Sequence, residues 1–223
     1  METFLVFQVS KVSLPRNFDQ MKERILKKSI ELFTNRGFKV VTMDDIAVEL
    51  GISKKTIYQH FPSKRELVKS TVDYIYDSAM ENMKKVVGRS KTPIHEHFEM
   101  RNCIKDLLGH NISAVTLFQF KKYYPRLSDL IEERRYKDLD FTILRNLREG
   151  VEKGLYRKEI DIEFIGKMFF ASTTAFFKNE NFFSEDTMDD FEIKFAEYHL
   201  RGIVTPKGLE ILEELLNKTQ PIK

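Results

Sequence analysis

The sequence has no tryptophan, a single cysteine and no apolar run approaching the roughly 20 residues that span a bilayer. The lone thiol, Cys103, cannot close an internal disulfide, which fits a cytoplasmic protein. The opening METFLVFQVSKVSLP is apolar but lacks a basic leader and a small-residue cleavage site, so it does not read as a signal peptide. Residues 1–17 read as an N-terminal arm, or as translation from a start upstream of a shorter natural chain, because Met21 opens the first strongly periodic stretch. There is no Gly-rich phosphate loop, no nucleophile with a base partner and no convincing acid pair, which argues against an enzyme. His95, Glu96, His97 and Glu99 cluster near a helix start, and His95 and Glu99 share a face at i, i+4. No second pair completes a metal site, so neither metal nor cofactor is expected.

What is present is an ordinary globular composition, 42% hydrophobic and 32% charged, with no sign of general disorder. The net charge of +3 is unevenly spread: residues 1–70 carry a balance of +5 and the remainder −2. A basic N-terminal third on a slightly acidic body suits a polyanionic partner.

Hydrophobic periodicity is helical nearly throughout. Ile25, Leu26, Ser29, Ile30, Leu32 and Phe33 keep the spacing of an amphipathic helix over about 18–36, and Gly37 supplies its stop. Thr42 then stands as an N-cap with Asp44 and Asp45 in the first turn, where negative charge suits the helix dipole. Gly51 ends that helix about two turns later, and Ser53 caps another that must finish before Pro62. Ser63 and Glu66 form a capping box opening a longer helix to about residue 87. GRSKTP, residues 88–93, is the candidate domain boundary. Beyond it, periodic segments run near 93–109, 112–124, 126–152, 161–179, 187–204 and 206–218. No strand alternation is sustained enough to compete, so an all-α chain is expected.

The most informative stretch is TMDDIAVELGISKKTIYQHFPSKREL, residues 42–67. Two short helices around a glycine turn are the helix-turn-helix pattern. Ile46, Leu50, Ile57 and Phe61 fill the angle between them, Ala47 allows close approach, and Gly51 takes the left-handed turn. The second helix is then left to present Lys54, Lys55, Thr56, Tyr58, Gln59 and His60 outward, with Lys64 and Arg65 extending the basic stripe. A helix of about eight residues is roughly 12 Å long, about the width of a DNA major groove. Lysine suits guanine O6/N7, glutamine bonds adenine at two points, and the threonine methyl fits thymine. Tyr, His and Lys also reach phosphates, and the helix starts at Thr42 and Ser63 aim free backbone N–H groups at them.

The run from Arg24 to Leu67 resembles the DNA-binding domain of TetR-type transcriptional regulators, through SIELFTNRGF, TMDDIA, GISKKTIYQHF and SKREL. Ser29 stands where alanine is commoner in that family, and Lys55 where a small residue is usual. The resemblance implies that Thr42, Tyr58, His60 and Lys64 contact phosphates while Lys54, Lys55, Thr56 and Gln59 face bases. It further implies a helix-turn-helix domain over 18–65, a connecting helix over 66–87 and a ligand-binding and dimerisation domain over 88–223, about nine or ten helices in all.

Past residue 70 the resemblance thins to one signature, EGVEKGLYRKEIDIEFIG at 149–166, before the penultimate helix pair. In this family that pair forms a four-helix dimer interface. The expected interface residues are Phe169, Thr173, Phe176 and Phe177 with Phe191, Phe195, Tyr198 and His199. Two reading helices about 34 Å apart fit successive grooves, so a homodimer on a palindromic double-stranded DNA operator is expected. The 19 phenylalanines point to an aromatic-rich body. Phe98, Cys103, Leu107, Phe118, Tyr123, Phe141, Leu144, Met168 and Phe170 lie on helices that line the family's effector cavity. Such a lining suits a small lipophilic or aromatic effector or a cation held by ring faces; a fully packed core is the alternative for each of them. The resulting expectation is a ligand-released repressor, against a dimeric DNA-binding protein without an effector. No membrane contact is expected.

Overall fold

The computed structural model describes residues 20–108, 114–178 and 188–219; the N-terminal arm and the side chains of Leu107, Phe176 and Phe177 lie outside the described residues. The fold is all-α. Its helices are α1 (Gln20–Arg36), α2 (Met43–Leu50), α3 (Lys54–His60), α4 (Lys64–Val87), α5 (Pro93–Leu108), α6 (Ala114–Tyr123), α7 (Pro125–Lys137), α8 (Arg145–Glu152), α9 (Ile162–Lys178), α10 (Met188–Arg201) and α11 (Pro206–Thr219). The described residues divide into two compact units, one within residues 20–81 and 102–108 and the other within residues 82–101, 114–178 and 188–219.

In the first unit, α1 buries Ile25, Leu26, Leu32 and Phe33 almost completely, and Phe33 stacks on Phe38 with ring centroids 5.0 Å apart. Ser29, at a buried position, turns its hydroxyl back to donate to the Ile25 carbonyl at 2.7 Å, so its polar atom is satisfied inside the helix. Arg36 pairs with Glu49 at 2.6 Å, tying α1 to α2. Ile46 and Ala47 on α2, Ile57 on α3 and Phe61 just after it are buried, and the two helices are in contact.

The second unit is built around Ile94, Phe98, Leu147, Tyr156, Leu200, Ile203, Leu212 and Leu216. The segment joining α8 to α9 shows what the glycines of the 149–166 signature do. The buried Tyr156 ring lies directly on Gly150, leaving no room for a Cβ there. The Tyr156 hydroxyl donates to Asn146 Oδ1 at 3.1 Å, and its backbone pairs with Val204 in a single antiparallel bridge. Arg157 donates to the Gly202 carbonyl, and Asp161 caps α9 by accepting from the Phe164 amide at 3.0 Å. Beneath this segment sits a buried polar network. Glu96 on α5 accepts from Arg145 and, at 2.8 Å, from Asn146 Nδ2, which also donates to the Pro93 carbonyl at 2.9 Å.

One expected element differs. The periodicity over 126–152 predicts a single helix, but the structure ends α7 at Lys137 and inserts a π-helical turn, Asp140–Leu144, before α8. The cause is a pair of buried leucines five residues apart, Leu139 and Leu144. In a regular α-helix such a spacing leaves side chains roughly 140° apart; the wider turn brings both inward. Leu144 then seats over Gly166 of α9, where a Cβ would collide with it.

Candidate nucleic-acid interface

Helix α2 begins at a reciprocal cap. The Asp45 amide donates to Thr42 Oγ1 at 3.1 Å, while the Thr42 amide donates to Asp45 Oδ2 at 2.8 Å. These bonds hold the Asp45 carboxyl below its usual pKa. Gly51 closes α2 at φ +64°, a conformation open to glycine and costly for residues with a Cβ. Ser53 accepts from the Thr56 amide at 3.1 Å and opens α3.

With Ile57 fully buried, α3 turns Lys54, Lys55, Tyr58 and Gln59 into solvent. Thr56 and His60 are half-buried on its flanks. The expected residues are not equivalent. Lys54 is held by Asp44 at 2.7 Å, which raises its pKa, and it lies 5.9 Å over the Tyr58 ring. The Thr56 hydroxyl shares a hydrogen bond with Ser53 at 2.8 Å, so its methyl is the freer end. Lys55 and Gln59 are exposed with no ion pair or hydrogen bond among the described residues. Lys64 donates to the Lys39 carbonyl at 3.3 Å, and partial burial lowers its pKa. Thr42 is exposed although its hydroxyl donates to Asp45 at 2.8 Å. This surface therefore combines two unengaged side chains suited to base edges with a rim of preorganised groups suited to phosphates.

The body residues fall in several places. Phe98 and Leu144 are buried, Phe98 within the packed core of the second unit; Cys103 is buried and in no disulfide. Phe118 lies under Lys122, and Phe141 under Arg145, with the cation 5.8 Å from each ring centre. Phe170 packs edge-on to Tyr136 at 5.4 Å with the Arg135 guanidinium above it, while Thr173 accepts from Arg135 at 3.1 Å. Tyr123 and Met168 are exposed. Among the expected interface residues, Tyr198 is exposed and Phe191 half-buried, but Phe169 is turned onto His97, Phe195 and His199. The exposed stripe of α9 is Phe164, Met168, Ala171 and Ala175. These four residues follow one another at i, i+4, i+7 and i+11.

The cluster around Phe169 contains two imidazoles, His97 and His199, stacked with centroids 5.8 Å apart. Burial, then the neighbouring His199 and Arg101, pushes His97 down to about 3; burial pushes His199 down to about 4. Both rings are neutral in the folded protein at neutral pH, whereas the unfolded chain takes up these protons below about 6.5. Stability is therefore expected to fall as pH drops from about 6.5 toward 4, by on the order of 1–2 kcal/mol per ring at pH 5. Melting curves at pH 7 and 5 check this, and His97→Phe should flatten the difference; an unchanged pH profile in that variant would refute the assignment. His95 and Glu99 take structural partners: His95 Nδ1 shares a bond with Thr92 at 2.8 Å, and Glu99 accepts from Ser90 at 3.0 Å.

Comparison with known proteins places the interface in context. Residues 25–71 match the model for bacterial regulatory proteins of the tetR family. The uncharacterized HTH-type transcriptional regulator YerO of Bacillus subtilis is 44% identical over 148 residues, covering 60% of this chain and 50% of YerO, so the match spans only half of that relative. The HTH-type transcriptional repressor KstR2 of Mycolicibacterium smegmatis is 26% identical over 148 residues, 65% of this chain and 71% of the relative. In fold, a putative transcriptional regulator from Saccharomonospora viridis, solved in complex with choline, superposes with a TM-score of 0.65 at 19% identity, covering 83% of this chain and 98% of that one. Among the described residues, no helix is long and apolar enough to cross a membrane.

Proposed function

We propose that the chain, whose residues 25–71 match the tetR family model, is a TetR-type transcriptional regulator with a DNA-binding head, working as a homodimeric repressor that a small lipophilic or aromatic effector releases from a palindromic operator. The observation that carries the DNA half is α3 itself: Ile57 is buried while Lys55, Tyr58 and Gln59 stand in solvent. Tyr58, His60, Thr42 and Lys64 are assigned to phosphates, and Lys54, Lys55, Thr56 and Gln59 to bases. Lys54 reaches DNA by exchanging Asp44 for its new partner. Pairing of two copies is supported by the apolar stripe Phe164, Met168, Ala171 and Ala175 on α9 and by exposed Tyr198 on α10. The effector half is supported by the aromatic surroundings of Phe170 and by the choline held by a protein of similar fold. The packing of Phe98 into the core favours the second reading, a dimeric DNA-binding protein without an effector.

The test is binding to the chain's own upstream region. Replacing Tyr58 and His60 together by alanine is expected to weaken affinity by about 10- to 100-fold and to shallow its salt dependence. Unchanged affinity and salt slope would sink the groove assignment. Gln59→Ala or Lys55→Ala should alter sequence preference more than overall affinity.

A further inference from the structure

Asp44 suits the dipole of α2, yet its carboxylate stands beside the helix that meets a polyanion. It is the second residue of α2, and both its oxygens touch Lys54 Nζ of α3, at 2.7 Å and 2.9 Å. The other two acids of α2 are engaged elsewhere: Asp45 by the amide and hydroxyl of Thr42, Glu49 by Arg36. Asp44 has no partner but Lys54 among the described residues, and α3 itself carries no acid. The Lys54 and Asp44 side chains are 56% and 60% exposed. An ion pair this open to water contributes little to stability. What it fixes is position, since it keeps one donor and one acceptor side by side next to the exposed face of α3.

When Lys54 turns to a guanine it releases a carboxylate among phosphates, which is unfavourable unless a donor is at hand for Asp44. On the edge of a G·C pair that donor is adjacent. Guanine O6 and cytosine N4 share one of the base pair's own hydrogen bonds, so they stand about 2.9 Å apart. Lys54 Nζ and Asp44 Oδ1 are 2.7 Å apart. Lys54 can therefore donate to O6 and N7 while Asp44 accepts from N4, and the two side chains stay neighbours. The other base pairs match less well. T·A in the same orientation offers O4 and N6 at the same spacing, but the thymine methyl stands where guanine has N7. C·G and A·T set the base donor against Lys54 and the base acceptor against Asp44.

We propose that Asp44 is a base-reading residue, and that it and Lys54 together select one G·C pair in the operator. The inference rests on reading α3 as the helix that enters the major groove.

The test selects bound sequences from a randomised duplex library with the full-length wild type, Asp44→Ala, Lys54→Ala and the double variant. Sequencing then gives the base preference at each position. The cap between Thr42 and Asp45 holds the start of α2, so Asp44→Ala leaves the helix in place. The wild type should favour G·C at one position by about 5- to 150-fold over the other pairs. Each single variant should bring that position within about twofold, the same position for both, and the double variant should relax it no further. A preference is a ratio between sequences, so a general gain in affinity from removing a negative charge does not enter it. If Asp44→Ala bound all sequences more tightly and kept every preference, Asp44 would only repel phosphates, and the proposal would be overturned. Relaxation at a different position from that of Lys54→Ala overturns it equally. In both cases sequence selection by the wild type leaves the DNA-binding reading standing. A wild type that enriches no sequence removes that reading and this inference with it.

Discussion

Gly150→Ala is expected to cost the second unit about 3 kcal/mol or more, a large part of the stability of an ordinary domain. The added methyl would enter the space held by the Tyr156 ring, not the tip of a movable side chain. That ring is 1% exposed, its hydroxyl is anchored to Asn146 and its backbone is bridged to Val204, so it cannot swing aside without releasing several contacts together. Denaturant unfolding followed by circular dichroism provides the check. A midpoint within error of wild type would mean that the Gly150–Tyr156 packing is looser than described. Tyr156→Leu in the Gly150→Ala background should recover part of the loss, because it removes the ring atoms that the methyl meets.

The second large effect is expected at the buried ion pair. Arg145→Met would leave the Glu96 carboxylate, only 3% exposed at its side chain, with Asn146 as its remaining described partner, at a cost of about 3–5 kcal/mol. Replacing both members, Glu96→Leu with Arg145→Met, should cost less than the single change. The uncompensated charge disappears, and two apolar side chains of similar volume take the space. A double-mutant cycle reads this directly. If the double variant were less stable than Arg145→Met alone, the pair would be a net source of stability beyond avoiding an unpaired charge. Arg145 also pairs with Glu149 at 3.0 Å, but Glu149 keeps Lys153 when Arg145 is replaced, so the cost rests on Glu96.

Much of this was legible in the residues because the signals are local. Thr42, Gly51, Ser53 and Ser63 each act on the backbone within one turn, so α2 and α3 and the start of α4 fall close to where their caps put them. The outward face of α3 was legible for the same reason: once Ile57 is committed inward, helical geometry fixes where Tyr58 and Gln59 point. The body was harder. Its phenylalanines are chemically alike, and only tertiary packing decides that Phe169 meets two histidines, Phe170 meets Tyr136 and Phe164 faces solvent. The role of Glu96 was hidden because its partners, Arg145 and Asn146, lie about fifty residues along the chain. Gly150 could be seen as part of a signature, but the ring that requires it only arrives through the turn at Gly154.

The π turn at Asp140–Leu144 carries a consequence for how such chains are compared. A turn of this kind accommodates one surplus residue while the helix on either side keeps its direction and its hydrogen-bonded continuity. Set beside a homologue whose helix is uninterrupted here, this chain would show a single-residue gap inside a helix, where alignment procedures ordinarily refuse one. Forcing the two into ungapped register would pair Leu147 with a solvent-facing position and misplace every residue from Arg145 to Glu152 by about 100° around the axis. Sliding that short helix by a single position would restore its phase and the buried place of Leu147.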